Sequence, residues 1–325
     1  MSQPNPTYGE LASVTINKMS KTASDNVTAN NAVLREIEKS GNVEPIDGGL
    51  NINEAIEFAA NVNAGSYSGY DVLPTAAQDI ITTASFPIKQ YSAQVMFNGL
   101  EEMENAGKEK IIDIVQARVK NGFHSIENLI NVHLYLDGTG NNGKNITGLN
   151  AAVPLAPTNT YGGINRSVST NAFWKNQKFQ STVDGTGAAV AATIQGYWNT
   201  FIISLTRQTD EPTIIICGPS VYSIFENSLQ AIQRVMDADK ASAGFKTLEY
   251  HGIPVIFDTT AAGITTTDAF FLNTDYLKWR PHTDRNMVSL DDKNSLNQDA
   301  TVKTIVFAGN LTCNASFLQG RYSNT

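Results

Sequence analysis

Charge, cysteine and long apolar runs are all scarce in this chain. Of its 325 residues only 17% are charged, and the formal net charge is −8. A protein that grips nucleic-acid phosphates carries a dense basic patch. No such run of Lys and Arg occurs here, so tight or sequence-specific binding of DNA is not expected. Two cysteines, Cys217 and Cys313, do not make a disulfide framework at this length. Both sit in apolar, strand-like runs ("TIIICG" and "NLTCNASF"), which marks them as reduced core residues. No segment approaches the ~20 apolar residues of a membrane span. The opening "MSQPNPTYGE" has no apolar stretch of the kind a secretory leader carries. The expectation is synthesis in the cytoplasm, with no membrane partner.

What the chain does have is bulk with a bland surface. Hydrophobic residues make up 41%, and the length is enough for two cores, or for one core with extensions. A low charge fraction with many Asn, Thr, Ser and Ala suits a surface covered by other protein rather than by water.

One stretch looks chemical. "LDGTGNNGKN" (136–145) places Gly138, Gly140 and Gly143 in the spacing G-x-G-x-x-G and puts Lys144 where a phosphate-binding loop carries its lysine. Such a loop needs a strand before it and a helix after it, so that backbone N–H groups meet the phosphates. Here a helical pattern precedes the glycines. Gly148, Pro154 and Pro157 follow, where a helix should start, and Asn145 stands where Ser or Thr should bind magnesium. The stretch reads as a loop closing a helix, with a nucleotide-dependent enzyme as the remote alternative. His124, His133, His251 and His282 have no metal-ligand spacing with the cysteines, and no G-x-S-x-G elbow occurs. No catalytic residue, metal or cofactor is expected.

Along the chain, residues 1–47 are polar and form no core of their own apart from a short helical pattern, "AVLREIEKSG". Residues 48–100 read as strand, tip, strand. Leu50, Ile52, Ile56, Phe58 and Ala60 mark one face of the first arm, and Tyr91, Ala93, Val95 and Phe97 alternate with polar residues on the second. Arms of ~15 residues at ~3.3 Å each reach ~50 Å, and an isolated two-stranded ribbon is not stable in water. The ribbon is therefore expected to lie on another subunit. Tyr67, Tyr70 and Leu73 at the tip, with Tyr91, Val95 and Phe97 on the arm, are the candidate contacts, since aromatics dominate interface hot spots.

Residues from about 105 to 136 place Ile111, Val115, Val119, Phe123, Ile126, Ile130 and Leu134 at three- and four-residue steps. This predicts an amphipathic helix with Asn105 as its N-cap. Gly122 within it calls for a bend or a close packing contact. Beyond a loop-rich region, helices are expected near 188–205 and from Pro219 to about Lys240. Strands are expected at "PTIIICG", at "FKTLEYHGIPVIFD" turning near His251-Gly252, at "DAFFLN", and in the last long segment "ATVKTIVFAGNLTCNASFLQG". The fold class is mixed α/β, α+β in layout.

The order of parts, with the phrases "IDGGLNINEAIEFAAN", "HLYLDGTG … NITGLNAAV", "TYGGINRS … FWKN", "GFKTLEYHGIPVIFD … FFLNTDYLKW" and "GNLTC", resembles the major capsid proteins of tailed bacteriophages with the Hong Kong 97-type fold. The resemblance implies an N-terminal arm (1–47), an extended loop (48–100), and a peripheral domain with a spine helix (101–185). It further implies an axial domain (186–300) and a C-terminal strand returning to the peripheral domain (301–325). It implies a structural protein of the virion, assembled in the host cytoplasm into pentamers and hexamers that enclose double-stranded DNA. A separate scaffolding protein, a portal and a decoration protein would be its partners. Some members crosslink a ribbon lysine to a neighbour's asparagine. Lys89, the ribbon's only lysine, lies on an arm rather than the tip, so no crosslink is expected. An encapsulin-type compartment that holds an enzyme cargo is the alternative within the same fold.

Overall fold

The computed structural model describes residues 32–104, 114–229, 248–260, 263–291, 293–294 and 299–325. Helix α1 (Ala32–Lys39) leads to strands β1 (Asn51–Glu57), β2 (Ile81–Pro87) and β3 (Lys89–Asn98). Then come α2 (Gly99–Glu104), the long α3 (Ile114–Tyr135), the one-turn α4 (Leu149–Ala152), and the short strands β4 (Thr160–Tyr161), β5 (Ile164–Asn165) and β6 (Gln177–Gln180). The second half holds α5 (Ile194–Leu205), β7 (Ile214–Cys217), α6 (Pro219–Ser228), β8 (Leu248–Tyr250), β9 (Ile253–Phe257) and β10 (Asp268–Leu272). It ends with β11 (Leu277–Pro281), β12 (Val288–Ser289), β13 (Lys293–Asn294), β14 (Ala300–Cys313) and β15 (Gly320–Ser323).

Two sheets organise these elements. The first is built around β14, which pairs antiparallel with β3, β11, β12 and β13. Helix α3 lies across it. Ile126, Ile130 and Leu134, spaced as a 3.6-residue period requires, are buried beneath the helix. Gly122 has a packing reason: a Cβ there would sit 2.9 Å from Ile305 Cδ1 and 3.0 Å from Val95 Cγ2. Its lost helix propensity, up to ~1 kcal/mol, is the cost of letting the helix settle on the strands.

The second sheet runs in the order β6-β15-β10-β7-β9-β8. Every residue of β7 and β10 is buried, which is why both read as continuous apolar runs rather than alternating ones. Ile215, Cys217, Ala269 and Phe271 share a core with Trp198 and Phe201 of α5 and Phe225 of α6. Ile214, Ile216, Phe270 and Leu272 point the other way, into the core beneath α3. There the Tyr135 hydroxyl donates to Asp258 Oδ2 at 2.7 Å. Cys217 and Cys313 are buried free thiols, and burial pushes the Cys313 thiol up to about 12, which leaves it unreactive.

Several sequence expectations need correction. The ribbon pairs only Asn51–Glu57 with Ile81–Pro87, which is ~23 Å of strand rather than ~50 Å. The chain then leaves the ribbon, and β3 pairs with β14 over ten residues, from Lys89↔Gly309 to Asn98↔Ala300. Strands from distant parts of the chain interleave in the two sheets: β11, β12 and β13 belong to the first and β6 to the second. The C-terminal segment divides, with β14 in the first sheet and β15 crossing to pair with β6 and β10 in the second. Helix α5 starts at Ile194 rather than near 188. Helix α6 ends at Ser228, because Leu229 turns to an extended backbone. The expected N-cap Asn105, the first turns around Ile111, and residues 1–31 of the arm lie outside the described residues.

Candidate inter-subunit surface

The ribbon is anchored at its root inside its own subunit. Strand β1 alternates exposed and buried side chains, and the inward set is Ile52, Glu54 and Ile56. On β2 the inward pair is Ala84 and Phe86, with Phe86 edge-on to Tyr161 at 5.0 Å. Leu50, expected on this face, is 90% exposed, so the apolar face begins at Ile52. Gly162 lets the hairpin turn pass beneath the ribbon: its φ is 58°, and a Cβ would meet Ala84 Cβ at 2.8 Å.

Glu54 is the unexpected member of the inward set. Its Oε1 accepts from Arg280 Nε at 3.0 Å, from Arg280 Nη2 at 2.7 Å and from Thr312 Oγ1 at 2.9 Å. Arg280 Nη1 also donates to the Glu44 carboxylate, and Lys278 Nζ reaches Glu44 Oε1 at 2.7 Å. The hydrogen bond from Lys278, aided by the neighbouring charges, holds the Glu44 carboxyl below its usual range. Val43 and Ile46 run parallel beside β11 through single bridges to Trp279 and His282. This charge cluster therefore ties the arm, the ribbon and the β11–β14 pair together, and buried charges held this way need every partner.

Beyond Glu57 the chain runs through 58–80 without a strand. Its hydrogen bonds are local: Phe58 N–H to Ile80 O at 3.0 Å, Asn63 Nδ2 to Ala76 O at 2.7 Å, and Ser68 N–H to Asp71 Oδ2 at 2.8 Å. Tyr67 is 68% exposed, Leu73 53%, and Tyr70 stands fully in solvent at 106%. Val62 and Val72 are exposed beside them. These apolar side chains are exposed together on one loop, which makes it the candidate for an interaction surface.

The arm candidates sit elsewhere. Val95 is 7% exposed under α3, and Phe97 is half-buried opposite Thr301 of β14. The Tyr91 hydroxyl accepts from the Ile146 N–H at 2.9 Å and bonds His133 Nδ1 at 2.8 Å. Burial raises the Tyr91 pKa and lowers that of His133, which suits a neutral imidazole accepting the phenolic proton. Tyr91, Val95 and Phe97 lie in the subunit's own sheet, away from the tip that carries Tyr67, Tyr70 and Leu73. Within the subunit, the second arm's apolar face packs on β14 and α3.

A second tie was not visible as a site in the sequence. Arg166, inside "TYGGINRS", is 0% exposed. Its Nη1 donates to Ala151 O at 3.2 Å and its Nη2 to Ala152 O at 2.9 Å and Ser316 Oγ at 2.5 Å. The guanidinium carbon lies 4.7 Å from the Tyr161 ring centroid. Carbonyls at the end of α4 and the aromatic face supply the negative potential.

The Gly138–Lys144 stretch closes α3. Asn141 and Asn142 have φ of 51° and 56°, inside a single turn at Gly140–Gly143. Lys89 Nζ donates to the Gly143 carbonyl, so Lys89 is engaged within its own subunit. At Gly148 a Cβ would collide with the carbonyls of His133, Leu134 and Leu136, and that fixes the chain against the end of the helix. No strand leads into the turn. Lys144→Ala is expected to leave the thermal midpoint unchanged, and the unmodified chain is expected to show no ATP binding by calorimetry. Micromolar affinity lost on that substitution would restore the nucleotide reading.

No protein-family model matches the sequence, and no curated protein matches it. Solved structures do match, over nearly their whole lengths. The capsid protein in the cyanophage A-1(L) capsid asymmetric unit aligns with a TM-score of 0.73 and 15% identity, covering 96% of this chain and 97% of that one. The capsid of a native GTA particle aligns at 0.59 and 11% identity over 99% of both chains. The SrpI encapsulin of Synechococcus elongatus PCC 7942 aligns at 0.59 and 8% identity, covering 100% of this chain and 96% of that one. Identities this low speak for architecture alone. With its ribbon, spine helix and two interleaved sheets, this chain has the Hong Kong 97-type fold of tailed-phage major capsid proteins.

Proposed function

We propose that this chain is a structural shell protein that assembles through copies of itself into the pentamers and hexamers of an icosahedral phage head around double-stranded DNA. The observation that carries the reading is the 58–80 loop: apolar, exposed along its length, and held out on a ribbon whose root is fixed in the body. A loop rich in exposed Tyr, Val and Leu is costly on a solitary protein. It is useful where each copy meets a neighbour, since obligate interfaces bury more than ~2,000 Å² with an apolar centre. The full-length alignment to assembled capsids supports the same reading.

The net charge of −8 suits a shell that contains DNA without gripping it, since binding driven by phosphate neutralisation needs clustered cations. A scaffolding protein and a portal are the partners this role calls for, a decoration protein is an optional one, and the virion is its location. The encapsulin reading shares the fold but draws on no feature specific to this chain. Sedimentation velocity of the purified chain, with and without a co-expressed scaffolding protein, tests the proposal. Megadalton particles or discrete capsomers are expected. A species that stays at the 35.2 kDa of one chain in both conditions would overturn it.

A further inference from the structure

The Gly/Asn turn at the end of α3 has no part in assembly as described above, yet it carries a reactive bond. The sequence contains three Asn-Gly steps: Asn98-Gly99, Asn121-Gly122 and Asn142-Gly143. Glycine after asparagine is the pairing in which the backbone nitrogen can best reach the side-chain amide carbon, because no Cβ obstructs the approach. The fold treats the three steps differently. Asn98 is pinned, its Oδ1 accepting the Glu101 N–H at 2.7 Å in a cap of α2. Asn121 and Gly122 lie inside the 22-residue α3, where even a Cβ at Gly122 would meet Ile305 Cδ1 at 2.9 Å and Val95 Cγ2 at 3.0 Å. Asn142 is exposed in the turn, with φ 56° and ψ 41°. Among the described residues its side chain makes no hydrogen bond, and Gly143 N–H has one, to Thr139 O at 3.0 Å.

We propose that Asn142 is a site of spontaneous deamidation in the folded protein, and that the other two Asn-Gly steps are protected by their structure. The Gly143 backbone nitrogen, after losing its proton to hydroxide, attacks Asn142 Cγ. The new N–Cγ bond forms as the Cγ–Nδ2 bond breaks, and the amide nitrogen leaves as ammonia. Water then adds to one of the two carbonyls of the five-membered imide, and ring opening gives Asp or isoaspartate at position 142. No oxidant or cofactor takes part. Releasing the Thr139–Gly143 bond opens a single surface turn. Exposing Asn121 to the same attack requires unwinding the helix that covers the first sheet, and local openings of such different size differ widely in free energy. The product places a carboxylate two residues from Lys144. The isoaspartate form also adds a methylene to the backbone just before the Gly143 carbonyl that Lys89 holds. In a closed shell every copy would accumulate the change independently, so particle charge would drift with age.

The test is peptide mapping with fragment-ion sequencing of purified assembled protein, incubated over days at mildly alkaline pH. A parallel sample is held unfolded in guanidinium. In the folded sample, Asn142 is expected to gain one mass unit at least ~10-fold faster than Asn98 or Asn121. In the unfolded sample all three should convert at similar rates. Asn142→Ala should remove the charge variant from isoelectric focusing. Conversion of Asn142 no faster than that of Asn98 and Asn121 in the folded sample would overturn the proposal, as would a charge variant that persists in Asn142→Ala.

Discussion

Excising Ala64–Ala77 and joining the ends with a short glycine-containing turn is expected to abolish closed shells while leaving the subunit folded. The seven β1–β2 pairs lie outside the deletion, as do Ile52, Glu54, Ile56, Ala84 and Phe86, whose burial anchors the ribbon root. The deletion removes Tyr67, Tyr70, Val72 and Leu73, all exposed in the isolated subunit. If each such side chain is buried on a neighbour, the burial contributes ~1.5–3 kcal/mol, and in the proposed shell the loss would recur at every subunit contact. Circular dichroism should match that of the unmodified chain. Sedimentation should show isolated capsomers or irregular pieces. Closed shells of normal size from the deletion variant would remove the loop from the account of assembly.

Arg166→Ala is expected to destabilise the subunit itself, by ~3–5 kcal/mol in equilibrium denaturation. The substitution removes the Arg166 donors to the Ala151 and Ala152 carbonyls and to Ser316 Oγ, leaves those carbonyls only the bonds from Asn159 Nδ2 at 3.0 Å and Ser316 Oγ at 3.3 Å, and opens a cavity beside Tyr161 and Trp174. The three acceptors come from α4 and from the turn after β14, so the effect should be global rather than confined to a surface loop. Arg166→Lys should recover only part of the loss, because an ammonium cannot span the two carbonyls and the hydroxyl as a planar fork does. Urea denaturation monitored by tryptophan fluorescence is the measurement, since Trp174 lies 5.9 Å from the guanidinium. A change below ~1 kcal/mol would show that solvent can reach those groups.

The parts legible in the sequence are those whose signal is local. The run Ile126, Ile130, Leu134 declares a helix face within three turns. The all-apolar "IIIC" and "AFFL" declare strands covered on both sides. His251-Gly252 takes the left-handed conformations, φ 54° and 79°, that a tight hairpin turn needs. What stayed hidden depends on partners far along the chain. Tyr91, Ala93, Val95 and Phe97 alternate with polar residues whether their partner is the first ribbon arm or β14, about two hundred positions away. Hence the second arm looked like ribbon. Glu54 interrupts an apolar face, which reads locally as a defect. Its burial makes sense only with Arg280, separated by 226 residues. Arg166 sits among polar loop residues, and nothing nearby in sequence shows that the end of α4 and Ser316 converge on it. The tip aromatics Tyr67 and Tyr70 were visible as candidates because Gly and Pro turn signals set them off from either strand.

In the proposed assembly the exposed 58–80 loop of each copy is the clasp that holds a neighbour in a closed shell. Cryo-electron microscopy of the assembled particles tests it most directly. A closed icosahedral shell is expected, with Tyr67, Tyr70 and Leu73 of every subunit buried against the body of an adjacent subunit. Particles in which those three side chains face solvent, or a protein that forms no shell at all, would contradict it.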